Sequence, residues 1–350
     1  MRVPAQDELA RRSLVERPLN AETPLEALAE PLTPTSLFYI RNHFDAPTIN
    51  AASWRLSIDG AVAQPLELTL EELQRRPART LTVTLECAGN GRGAMTPVPP
   101  GVPWGWGAVG TARFTGAALG PLLQEATPLN DAVTFVFEGA DEGEIDGEIV
   151  RYSHALPPEV AIAPETLLAW EMNGEALSPE HGFPLRLVVP GWYGMASVKW
   201  LSRISVLRTP FAGPFQREYV YVDEARSGEA TPVSVGRVRA LLARPTDGAR
   251  LPREPVEIAG TAWSGAAPIQ RVDVSTDGGL HWARAALEPE LSPLSARAWR
   301  LIWTPPRAGT FVLIVRATDT EGSRQPLEPI RNTRGYGNNG VQRVSVSVHE

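Results

Sequence analysis

Alternation of apolar and polar positions divides most of the chain into short strands. Trp54-Arg55-Leu56-Ser57-Ile58 alternates and runs into Asp59-Gly60, the pattern of a strand that ends in a tight turn. Leu81 to Leu85 alternates again and delivers the chain to Cys87. Val133 to Phe137 and Leu185 to Val189 are strongly apolar runs, each followed within two residues by Gly or Pro. They are predicted as short strands that stop there. Two stretches read as helices: 70–76, opened by Thr69 with Glu72 at capping-box spacing, and 115–126. Strands and helices mix without a steady βαβ rhythm, so the class is α+β. The first 35 residues, rich in Pro, Glu and Arg, show little periodicity and are predicted as an extended N-terminal arm.

From about 226 to 236 the composition turns to Ser, Gly, Thr and Pro, a domain boundary by that criterion. Beyond this boundary the chain is nearly free of helical pattern. Candidate strands sit at 237–243, 255–263, 268–275, 281–287, 297–303, 310–317 and 341–348, with Asp277-Gly278-Gly279 as a hairpin turn. So many short strands in one stretch predict an all-β immunoglobulin-like sandwich, although the Cys pair of antibody domains is absent. The predicted division is therefore an arm over 1–35, a first domain over 36–230 and a second over 231–350.

Composition narrows the function more than the fold. Of the 350 residues, 30 are Gly and 33 Pro, which favours turns over long helices, and 43% are apolar, enough for sizeable cores. The formal charge of -7 argues against a general nucleic-acid binder. No run approaches the length of a membrane span. Arg11-Arg12 leads into Glu16-Arg17-Pro18 and not into an apolar stretch, so it does not read as an export signal. The sequence as given reads as soluble, bacterial and cytoplasmic; a trimmed mature form of a periplasmic protein has the same sequence. A single cysteine excludes an internal disulfide, and five His with one Cys exclude dense zinc sites and iron-sulfur clusters. Lys199 is the only lysine, so a lone Arg carries little meaning, whereas several Arg converging on one place carry more.

The stretch Leu85-Glu86-Cys87-Ala88-Gly89-Asn90-Gly91-Arg92 places a thiol at a strand end, on tight backbone that a ligand can approach closely. A nearby Arg lowers a thiol's pKa and favours the metal-binding thiolate. Taken alone, Cys87 reads first as a buried small hydrophobe, His181 as an ordinary turn histidine, and Lys199 as a strand residue reaching solvent.

The wider sequence resembles the sulfite oxidase family of molybdenum enzymes over nearly the whole chain after residue 36. The resemblance rests on Phe38-Tyr39-Ile40-Arg41-Asn42-His43, Cys87-Ala88-Gly89-Asn90, and Trp104 followed by Gly107 to Arg113. It continues through Phe137 to Asp141, Glu171-Met172-Asn173-Gly174, His181-Gly182-Phe183-Pro184 to Arg186, and Val198-Lys199-Trp200-Leu201. In the second domain it rests on Ala262 to Gly265, Val272 to Ser275 and Asn332-Thr333-Arg334-Gly335. No one motif decides; their number and order do.

The resemblance implies a molybdopterin-binding domain followed by a dimerising sandwich. It implies Cys87 as the one protein ligand to molybdenum, with a pterin dithiolene and oxo groups completing the metal. It places His43, Asp141, His181, Arg186, Ser197 and Lys199 on the pterin, and Arg and Lys suit its phosphate. It also implies Arg41, Arg92, Arg334, Tyr219 and Trp104 as the substrate pocket for sulfite. A negatively charged chain repels a dianion at long range, so capture needs such a local cationic pocket.

There are departures. Gly91 stands where an Arg is common, Val220 where a Lys follows the tyrosine, and Tyr336 to Gln342 is Gly- and Asn-rich where animal and plant members carry Trp-His. Phe215-Gln216-Arg217-Glu218-Tyr219 resembles, without matching, the family's Gln-x-Asp-Tyr. No haem-domain sequence precedes residue 36, so the expectation is a haem-free chain passing electrons to an external cytochrome c or to dioxygen, as a homodimer. Nitrate reductase-type chemistry, methionine sulfoxide reduction and a non-enzymatic cofactor-carrying sandwich are the alternatives.

Overall fold

A computed structural model describes residues 9–222 and 230–350. The predicted linker lies partly outside these residues, over 226–229, as do residues 1–8 of the arm.

Two sheets build the first domain, the first wholly antiparallel and the second mixed. One runs Glu175–Ala176, Leu167–Met172, Val109–Ala118, Ala78–Glu86, with Arg186–Val188 also on Leu167–Met172. The other runs Leu66–Leu68, Leu56–Gly60, Leu201–Leu207, Thr134–Ile145, Glu148–Leu156, and its Leu56–Gly60 and Leu201–Leu207 pair is parallel. A continuous apolar core that includes Leu56, Ile58, Phe137, Leu187 and Ile204 packs the domain. The helix Leu70–Gln74 opens with the expected capping box, Thr69 and Glu72 each satisfying the other's backbone N–H.

Two expectations about these sheets are corrected. Residues 115–118 are strand, and only Leu119–Ala126 is helix. Thr115 faces Thr80 across the ladder with their hydroxyls 2.9 Å apart, and such β-branched pairs favour the pleated surface over a helix. The strand from Thr134 does not stop at Gly139 but runs on to Ile145. Gly139 is instead a close-approach position, where an added Cβ would lie 2.4 Å from Asp141 Oδ1 and 2.8 Å from the Lys199 carbonyl. The register with the neighbouring strand shifts between Glu138 and Glu142, an irregularity that accompanies the placing of Asp141 on the central cavity.

The described part of the arm is not extended. Arg12–Glu16 and Leu19–Glu22 form a hairpin, and Leu25–Ala29 coils into a buried 3-10 turn. Ala21 exchanges both backbone hydrogen bonds with Ile40. Burial of Ala27, Leu28 and Ala29 holds this segment down, and so short an apolar run gives no period to read.

The second domain is a two-sheet sandwich. Arg239–Arg244, Val256–Trp263, Arg297–Trp303 and Ala286–Leu287 form one sheet. Arg250–Pro252, Arg343–His349, Gly309–Asp319, Ile269–Ser275 and Ala283–Arg284 form the other. The single strand expected over 281–287 divides between the two sheets. Trp299, Ile258, Leu313 and Val344 fill the space between them. Segment 334–340 leaves this sandwich and reaches the cysteine loop: Gly337 N–H donates to Ala88 O at 2.7 Å, and Asn338 Nδ2 donates to Gly91 O at 2.7 Å.

Candidate active site

The strand Ala78–Glu86 ends at a turn that carries Cys87 and Arg92 within six residues. Cys87 N–H donates to Ala108 O at 2.9 Å, and Cys87 O accepts from Asn90 N–H at 2.9 Å, so backbone bonds lock the loop on both sides of the thiol. Gly91 sits at φ +82°, the left-handed region that favours glycine, and an added Cβ there would meet Arg239 Nη2 at 2.6 Å and Trp106 at 2.8 Å. The absence of an Arg at 91 therefore has a structural counterpart: a guanidinium from the second domain occupies the adjoining space.

Two connected cavities share Arg41, Cys87 and Tyr219 in their walls. The deeper one also meets all six residues expected on the pterin: His43, Asp141, His181, Arg186, Ser197 and Lys199. The outer one adds Arg92, Trp104 and Arg334, together with Glu218 and Tyr336. The twelve expected site residues, scattered over nearly 300 positions of sequence, thus converge on one place. Missed by the sequence reading were Tyr39, Asn42, Tyr152 and Trp200 in the deep wall and Glu218 and Tyr336 in the outer one. Asn42 lies between two expected residues and Glu218 directly before a third, and that adjacency was the available signal.

The deep cavity is cationic. Lys199 Nζ donates to Asn42 Oδ1 and to the Glu180 carbonyl, while Arg41 donates to the Asn42 carbonyl. Arg186 donates to the carbonyls of His181 (3.1 Å) and Ser197 (3.3 Å). Burial, then the neighbouring Arg186, holds Lys199 well below the ordinary lysine range, and burial pushes Arg186 down to about 10. Asp141 is the one carboxylate in this wall, its pKa raised by burial against the opposing pull of Lys199. Asp141 Oδ1 and Arg186 Nε are buried with no hydrogen-bond partner among the described residues. Excess positive charge with unpartnered donors and acceptors is the surround that an anionic, hydrogen-bonding ligand completes. The residues therefore fit a pterin phosphate.

Burial, not the arginines, dominates at Cys87 and pushes its thiol up; Arg41 and Arg92 pull it back only in part. Both arginines pull toward the thiolate as expected, but in the free chain desolvation of the anion outweighs the two cations. A coordinated metal deprotonates a thiol outright, so the same site takes a metal without such help. Among the described residues, no group of three or more His, Cys, Asp or Glu side chains is placed to hold a metal ion.

Tyr219 OH lies 2.9 Å from His43 Nε2, and His43 stacks on Tyr152 with ring centroids 4.6 Å apart. Burial first, then Arg41, holds His43 well below the usual imidazole range, so the ring is neutral; its Nε2–H tautomer donates to the phenol oxygen and leaves the phenol proton free for another acceptor. Burial pushes Tyr219 up to about 12, so it stays protonated at neutral pH.

Nearby His154 is buried with neither ring nitrogen partnered among the described residues, and burial pushes it down to about 4. The unfolded chain takes up this proton near pH 6.5, the folded chain only near 4. Stability present above pH 6.5 is therefore lost as pH falls, by at most about 1.4 kcal/mol per pH unit from this group. His154→Phe is expected to flatten the thermal midpoint against pH between about 6.5 and 4; an unchanged slope contradicts the assignment.

Comparison with known proteins identifies the architecture. A family model described as oxidoreductase molybdopterin binding domain matches residues 43–215, and one described as Mo-co oxidoreductase dimerisation domain matches 234–349. The first domain is thus a molybdopterin-binding domain. Mitochondrial sulfite oxidase of Mus musculus is 39% identical over 95% of the chain, and the chain spans only 65% of that protein's length. Sulfite oxidase of Arabidopsis thaliana is 35% identical over 94% of this chain and 92% of its own. The crystal structure of the sulfane dehydrogenase SoxCD from Paracoccus pantotrophus superposes with a TM-score of 0.86 at 30% identity, covering 97% of this chain and 89% of that one. The chain belongs to the sulfite oxidase family of molybdopterin-dependent oxidoreductases.

No helix among the described residues is long and apolar enough to cross a membrane.

Proposed function

We propose that the protein oxidises sulfite to sulfate at a molybdenum-molybdopterin centre and passes the two electrons singly to an external acceptor, a cytochrome c or dioxygen. The observation that carries this reading is the convergence of Arg41, Arg92 and Arg334, from three separate segments and both domains, on the cavity that holds Cys87. Guanidinium groups present fixed forks to an oxyanion and stay charged at any working pH.

The chemistry that the cofactor would supply when bound is oxygen-atom transfer with uptake of an electron pair. Cys87 would hold the metal through its thiolate. His43, Asp141, His181, Arg186, Ser197 and Lys199 would hold the pterin, Arg186 and Lys199 being the groups suited to its phosphate. Arg41, Arg92 and Arg334 bind the anion, and Tyr219, protonated and oriented by His43, donates one hydrogen bond to it. Trp104, fully buried, closes the outer wall and excludes water from behind the substrate. Such fixed charge does not reorganise as substrate charge moves toward the metal. The sandwich domain supports a homodimer, in line with the dimerisation model that it matches.

Arg334 is the test that joins the two domains. Arg334→Gln is expected to raise the KM for sulfite by about 10-fold or more, the loss of one charge-assisted contact of about 1.5–3 kcal/mol. An unchanged KM would mean that the second domain contributes nothing to substrate capture.

A further inference from the structure

Arg334 is not free in this pocket. Its Nη1 donates to Glu218 Oε1 at 2.5 Å, and the Tyr336 hydroxyl donates to the same oxygen at 3.1 Å. Glu218 and Arg334 are both part-exposed, so the pair stands at the wet mouth and not in the core. Tyr336 is buried and braced from the other side, with the Arg92 guanidinium over its ring at 5.0 Å. The three side chains Glu218, Arg334 and Tyr336 form a bar between two cavities. On one side lies the outer cavity already described, with Cys87, Arg92 and Trp104; on the other lies a third cavity, lined by His43, Asp146 and Arg217; Arg41 belongs to both.

A carboxylate is an odd neighbour in a pocket built for an anion. It repels a dianion, and it occupies a donor that the anion needs. Glu218 also reaches further than the Asp of the related pattern by one methylene, which lengthens its reach across the mouth.

We propose that Glu218 is a positioning residue that tunes anion affinity: an internal counter-anion that competes with the bound oxyanion for Arg334, weakening capture of substrate and speeding release of product. This rests on the reading of the pocket as an oxyanion site. When the anion enters, Arg334 exchanges one carboxylate partner for one oxyanion partner, and Tyr336 retains Glu218 nearby. When the product leaves, Glu218 takes Arg334 back. The guanidinium is never left unpaired, so the cost of emptying the site falls. A purely structural ion pair would show none of this, because its removal would loosen the pocket and weaken anion binding.

The experiment compares molybdenum-loaded wild type with Glu218→Gln, an isosteric change that keeps an acceptor for Tyr336 and removes the charge. The KM for sulfite and the inhibition constant for sulfate are both expected to fall, by about two- to fivefold, the size of a part-exposed ion pair. The kcat is expected to stay level or drop as sulfate release slows. Equal or higher constants in the variant overturn the proposal. If Glu218→Gln does not fold, Glu218→Asp draws the carboxylate back from Arg334 and is expected to move both constants the same way by a smaller factor; no movement overturns the proposal. Calorimetric titration of sulfate into both proteins separates the two readings. Tighter sulfate binding in the variant upholds the role of Glu218 even if sulfite is not turned over, whereas a wild type that binds sulfate and ignores sulfite overturns only the substrate.

Discussion

Arg239→Met is expected to destabilise the protein by about 3–5 kcal/mol, the cost of leaving one partner of a buried ion pair behind. Arg239 and Glu86 are almost completely buried, with Arg239 Nη1 2.7 Å from Glu86 Oε1. Around Glu86, Asn90 Nδ2 donates to Oε1 at 3.0 Å and Trp263 Nε1 to Oε2 at 2.8 Å. The Arg239 guanidinium also donates to Asn90 O at 3.2 Å and lies over the Trp106 ring at 5.0 Å. One carboxylate thus ties the residue before Cys87 to two side chains of the sandwich domain. Removing the cation leaves Glu86 charged in a dry place with two neutral donors. Adding Glu86→Gln to Arg239→Met removes that stranded charge and is expected to recover part of the loss. Urea midpoints of the single and double variants measure this directly; a double variant no more stable than Arg239→Met would contradict the ion-pair account.

Cys87→Ser is expected to reduce sulfite oxidation by more than about 100-fold. Loss of an outer-shell partner of a metal ligand already costs about 10- to 100-fold, and this change removes the proposed ligand itself. The metal-thiolate absorption is expected to vanish with it. Cys87 is buried and serine is close to it in size, so the fold is expected to persist apart from the cost of one buried hydroxyl, about 1–3 kcal/mol. Near-normal turnover by this variant would remove Cys87 from the metal.

Much of the fold was legible because its strands carry their burial as alternation. The run from Trp54 to Gly60 and sandwich strands such as Arg343–His349 bury alternate positions against one core, so period two survives in the sequence. The helix at Thr69 was legible for a different reason, since its capping box is local and needs no tertiary partner. What was lost depended on contacts distant in sequence. Gly139 reads as a strand stop until Lys199, 60 residues on, is seen to press against it. Residues 115–118 read as helix because Thr80, which pairs with Thr115, lies on another strand.

The candidate site shows the same division. Cys87 at a strand end and a row of arginines were visible, but their convergence came from the family resemblance and not from spacing. Nothing in the residues around Glu86 announces Arg239, which lies 153 positions away. Nor does Gln216-Arg217-Glu218-Tyr219 reveal that its carboxylate holds an arginine from the other domain. Pairings made between domains leave no periodic trace.

The central claim is that this pocket oxidises sulfite. Its most direct test is sulfite-dependent reduction of cytochrome c by molybdenum-loaded protein, run with and without oxygen. The account predicts sulfite-driven electron flow, with rapid reduction that persists without oxygen if a cytochrome is the acceptor and oxygen uptake in its place if dioxygen is. No electron flow to either acceptor, with molybdenum confirmed in the sample, would contradict it.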